Sequence, residues 1–77
     1  MARRTLGARL AWYRQQRRWS QRELERVAGL AHTTVYRIES GKHEPSAAVV
    51  HRLAQALGIA VCQLYPPVEE EVEVAHA

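Results

Sequence analysis

A chain of 77 residues with 47% hydrophobic content suits one small domain with a limited core, and its single cysteine excludes an intramolecular disulfide scaffold. No run approaches the roughly eighteen apolar residues of a membrane span, and no signal peptide is recognisable at the start, so a cytoplasmic protein is expected. Residues 1 to 42 hold ten Arg and Lys against three Glu, whereas residues 43 to 77 hold one against five. A basic half attracts phosphate backbones whatever their sequence; composition alone leaves DNA, RNA and an anionic membrane surface open.

Thr5 is placed to cap a first helix running to about Arg17, with Leu6, Leu10 and Tyr13 forming its buried stripe at i, i+4 and i+7. Trp12 and Trp19 add bulk to the core or its edge. Ser20 and Glu23 have the S-x-x-E spacing of a capping box, so a second helix starts there. It buries Leu24 and Ala28 and leaves the helix at Gly29, a residue that tolerates φ > 0. Val35 and Ile38 resume helical spacing in a third helix, and Gly41 to Pro45 form a loop. Ser46 caps a fourth helix, in which Val50, Leu53, Ala54 and Leu57 face the core and Gly58 ends the run. A last short helix, about Ala60 to Tyr65, buries Val61 and Leu64 and stops at Pro66 and Pro67. Cys62 is expected on it as a small buried thiol. The domain thus spans residues 1–66, and the acidic residues 67–77 form a tail whose composition favours disorder. A strand or arm exchanged between protomers, an acidic shield over the basic face, and a continuation into a further binding region are its other readings.

The second and third helices, joined by a tight turn, are the most informative stretch. At about 100° per residue from His32, Val35 and Ile38 bisect near 270°, so the outward direction lies near 90°. Thr33 and Ser40 point there, Tyr36 and Arg37 flank it, and His32 sits at the rim of the first turn. Alone, residues 32 to 40 fit a solvated surface helix equally well; the preceding helix and turn favour DNA reading. The N-terminal part of such a helix enters the major groove most deeply, which makes His32, Thr33, Tyr36 and Arg37 the candidate base readers.

In these residues the chain resembles the helix-turn-helix regulators of the phage repressor and Cro type, the xenobiotic-response-element class. The resemblance spans about Leu6 to Tyr65 and rests on Leu6, Gly7, Leu10, Arg14, Ser20, Gln21, Glu23, Leu24, Ala28, Gly29, Leu30, Val35, Ile38, Glu39, Gly41, Pro45, Ser46, Leu53, Ala54, Ala56, Leu57, Gly58 and Leu64. It implies an all-α, compact five-helix domain that binds operator DNA as a homodimer, without catalysis and without a cofactor. It also implies phosphate contacts from Gln21 at the start of the first motif helix, with Ser20 and Arg14 beside it, and from Ser40, Lys42 and His43 after the recognition helix. Arg14 and Glu39 are implied as an ion pair fastening the first helix to the third. Since two half-sites need two subunits, a dimer contact is expected on the last helix, near Val61, Leu64 and Tyr65.

Three positions depart from the pattern. Glu25 stands where the family usually has alanine, at the close approach of the two motif helices; it should turn its carboxylate to water or pair with an arginine such as Arg26 or Arg37, and Glu25→Ala should stabilise the domain. Arg18 replaces a glycine that ends the first helix, so a left-handed conformation is expected there. Ala31 replaces the serine or threonine cap of the recognition helix, a loss of about 1 kcal/mol.

Other chemistries find no support. His32, His43, His51, His76 and Cys62 lack metal-ligand spacing, and neither a phosphate loop nor a nucleophile elbow is present. The expected function is a non-enzymatic, sequence-specific transcriptional regulator, chiefly a repressor, with double-stranded DNA as its partner and no membrane. An antitoxin, a restriction-modification controller or a protein-interaction module on the same scaffold are the alternatives, with a toxin or the transcription machinery as possible protein partners.

Overall fold

The computed structural model describes residues 5–66. These form four α-helices, α1 (Leu6–Gln16), α2 (Gln21–Ala28), α3 (Thr34–Glu39) and α4 (Ala47–Leu57), followed by a single 3₁₀ turn, Val61–Gln63, with no strand among the described residues. The expected tail at 67–77 lies outside them.

Each long helix starts where a side chain can take a free N–H. Thr5 Oγ1 accepts from Ala8 at 3.1 Å and Ser46 Oγ from Val49 at 3.3 Å. Both arms of the capping box close on α2: Glu23 N–H donates to Ser20 Oγ at 3.0 Å, and Ser20 N–H to Glu23 Oε1 at 2.6 Å. The exits of α2 and α4 use left-handed Gly29 and Gly58, which let Leu30 and Ile59 donate back to the Glu25 and Ala54 carbonyls. At the end of α1 the same exit is made by Arg18, at φ 59°, against a left-handed penalty of roughly 1–2 kcal/mol.

Arginines from neighbouring elements take up carbonyls left free at these ends. Arg17 donates to Leu57 O at 2.9 Å, Arg52 to Gly29 O at 3.1 Å and Arg9 to Gln63 O at 2.9 Å. Part of the basic excess therefore stitches the fold together. Leu10, Leu24, Val35, Val50, Leu53 and Leu64 form the fully enclosed centre, with α2 packed on both α3 and α4. Gly7 is where α1 meets α3: a Cβ there would lie 2.4 Å from the Ile38 carbonyl oxygen and 3.0 Å from Glu39 Cα, so only glycine allows this approach.

Two expectations are corrected. The fifth helix shrinks to the 3₁₀ turn, because Pro66 biases Tyr65 away from helical backbone and Gly58 has already ended α4, leaving room for one turn. Three residues per turn bring Val61 and Leu64 to the same inward face, so Cys62 between them is exposed rather than buried.

Candidate nucleic-acid interface

Six residues cannot sustain a helix on their own, so α3 depends on its neighbours at both ends. At its start Thr33 has φ 71°, a strained conformation for a β-branched residue, and offers no side-chain cap. The acceptor comes instead from α2: Glu25 Oε2 receives the Val35 N–H at 2.9 Å. Glu25 is 1% exposed, and its Oε1 lies 3.4 Å from Arg22 Nη1 and 3.6 Å from His32 Nδ1. The expected escape to water does not occur; of the two alternatives, pairing with an arginine is the one found, through Arg22 rather than Arg26 or Arg37. A carboxylate at this crossing supplies the cap that neither Ala31 nor Thr33 provides, and Arg22 one turn earlier on α2 offsets its charge. Glu25→Ala therefore removes an anchor, and the stabilisation expected of it is withdrawn.

At the other end, Glu39 is held from two helices. Arg14 Nε and Nη2 donate to its two oxygens at 2.8 and 3.0 Å, a bidentate pair, and Gln21 Nε2 adds a bond at 2.9 Å. Arg14 Nη1 donates to the Trp19 carbonyl at 2.7 Å. With 13% of its side chain exposed, Arg14 is committed to this clamp, a geometry that does not favour the phosphate contact expected of it.

Fixed at both ends, α3 buries Val35 and Ile38 and turns Tyr36 and Arg37 out. Thr33, Tyr36, Arg37, Lys42 and His43 line one shallow groove, bringing three of the four expected base readers together with two of the expected backbone contacts. The loop that carries the latter is folded over the helix end, since Lys42 and His43 N–H groups and the Ser40 hydroxyl all donate to the Arg37 carbonyl. Lys42 Nζ sits 5.5 Å from the centre of the Tyr36 ring. His32 stands at the rim, exposed, as does Ser20 at the start of α2, while Gln21 is half-buried against Glu39.

The helix–turn–helix formed by α2 and α3 agrees with a family comparison: residues 5–64 match the model described as "Helix-turn-helix domain". The chain belongs to the helix-turn-helix family. Its relatives are DNA-binding transcriptional regulators, a class that is not enzymatic in general. It is 29% identical over 68 residues to an uncharacterized HTH-type transcriptional regulator of Sinorhizobium fredii, covering 88% of each chain. Among solved structures it resembles a hypothetical transcription factor from Neisseria (TM-score 0.79, 31% identity, 96% of this chain and 85% of that one). It also resembles the restriction-modification controller protein C.AhdI of Aeromonas hydrophila (TM-score 0.77, 30% identity, 82% and 96%).

For this helix-turn-helix protein one expected dimer contact is corrected. Leu64 is 0% exposed and packs inside the domain, so it cannot serve as a dimer contact; Val61 is half-buried and Tyr65 is 43% exposed. No helix among the described residues is long and apolar enough to cross a membrane, and no group of three His, Cys, Asp or Glu among them could hold a metal ion. Sequence reasoning missed the anchoring role of Glu25 and the close approach at Gly7. A signal for the first was present: an acid at a helix crossing, directly before a helix that lacks its own cap.

Proposed function

We propose that the protein binds a partly palindromic operator in duplex DNA as a homodimer, laying α3 in the major groove, and represses transcription by occluding a promoter. The observation that carries this reading is the groove formed by Thr33, Tyr36, Arg37, Lys42 and His43 between the outward side of a helix fixed at both ends and the loop after it. Arg37 can donate two hydrogen bonds to guanine, Thr33 can meet a thymine methyl, and His32 and Tyr36 flank them. Lys42 and His43 line the same groove and, with Ser20, Gln21 and Ser40, suit the phosphate backbone, which carries no base identity. With Leu64 in the core, Val61 and Tyr65 remain as the contact through which two copies meet.

Selection of bound sequences from random duplexes tests the proposal. Inverted repeats with centres about 10 bp apart are expected, together with steep salt dependence. Absence of enrichment, or saturation of a site without repeats by a monomer, would contradict it. In a transcription assay, an enriched site overlapping a promoter should lower transcript yield when the protein is added.

The structural likeness to a restriction-modification controller favours a second reading, in which the regulated operon encodes such a system. A restriction enzyme or methyltransferase gene beside this one would support it.

A further inference from the structure

We propose that Glu25 is a positioning residue that sets which ring nitrogen of His32 carries the proton, and so which base group the turn leading into the recognition helix reads. The inference rests on the DNA-reading function above. The buried carboxylate divides its oxygens: Oε2 accepts the Val35 N–H at 2.9 Å, while Oε1 lies 3.6 Å from His32 Nδ1 and 3.4 Å from Arg22 Nη1. A carboxylate is an acceptor only, so the ring nitrogen that faces it is favoured as the one bearing hydrogen. In neutral imidazole the other nitrogen is then an acceptor. With 73% of its side chain exposed and Nδ1 turned to the buried carboxylate, His32 presents Nε2 outward.

An outward acceptor at this position pairs with an exocyclic amino group, N6 of adenine or N4 of cytosine. It is repelled by O6 of guanine, by O4 of thymine and by N7 of either purine, so adenine is accepted only through its N6 amino group. The same carboxylate ties down the Val35 amide, so ring and helix are oriented as one unit. Glu25→Gln keeps the shape and an oxygen for Val35, but it can turn an amide NH₂ toward Nδ1. The ring hydrogen then belongs on Nε2, and the preference should turn to guanine or thymine. A purely structural role would lower the melting temperature and leave base preference alone.

The test is random-duplex selection on the wild type, Glu25→Gln and His32→Ala, with a melting curve for each. The wild type should favour adenine or cytosine at one position of the half-site. Glu25→Gln should reverse that preference by about fivefold and His32→Ala should erase it, both keeping the other positions. If the wild type enriches a site and a folded Glu25→Gln enriches the same one unchanged, the inference fails while the proposed function stands. If the wild type enriches nothing, the function itself fails. Should Glu25→Gln not fold, the ring ¹⁵N shifts of His32 in the wild type decide: hydrogen on Nδ1 supports the inference, and hydrogen on Nε2 overturns it.

Discussion

The two ends of α3 are held by different physics. At its C-terminal end two backbones touch across Gly7, and a bidentate Arg14–Glu39 pair with Gln21 ties three helices together. At its N-terminal end one buried carboxylate supplies a single acceptor to Val35 and the chain passes through a strained Thr33. Shape and multiple bonds resist disruption globally, whereas one acceptor mainly fixes direction. Damage at the C-terminal end should therefore cost stability, and damage at the N-terminal end should chiefly cost discrimination among sequences.

The largest expected effect is at the clamp. Arg14→Met leaves Glu39 with Gln21 as its remaining side-chain partner among the described residues, and a loss of about 3 kcal/mol is expected in urea melts, the lower end for an enclosed pair because both side chains retain slight exposure. Gly7→Ala comes next: its methyl must push α1 from the Ile38 carbonyl, at about 2 kcal/mol. If Gly7→Ala melted like the parent, the two helices would not be in contact as described. Glu25→Ala should cost about 1 kcal/mol, or about 5 °C in melting temperature, because a lost cap is partly offset by relief of a buried charge. A rise in melting temperature would show that the carboxylate is only a burden at this crossing.

These contrasts also show what the sequence makes legible. The starts at Thr5, Ser20 and Ser46 and the exits at Gly29 and Gly58 depend on residues a few positions apart, and each was readable from local spacing, whereas the left-handed exit at Arg18 was expected only from the family resemblance. The outward face of α3 followed from the positions of Val35 and Ile38. Gly7 against Ile38 and Glu25 against Val35 are meetings between elements, which periodicity cannot register. Leu64 was read correctly as core but was also assigned to the dimer contact, a role an enclosed side chain cannot fill, and Cys62 was misplaced because the 3₁₀ turn that replaces the expected helix leaves it exposed.

The central claim is that the outward face of α3 reads bases while the loop after it follows the backbone. A salt titration of binding to the selected operator and to a scrambled duplex, for Arg37→Ala and Lys42→Ala, tests it most directly. Arg37→Ala should lose about 1–3 kcal/mol on the operator and relax preference at one base pair, with a much smaller loss on the scrambled duplex. Lys42→Ala should weaken both duplexes alike and reduce the slope of log affinity against log salt by about one unit. Equal losses on both duplexes for Arg37→Ala, with a changed preferred sequence for Lys42→Ala, would contradict the account.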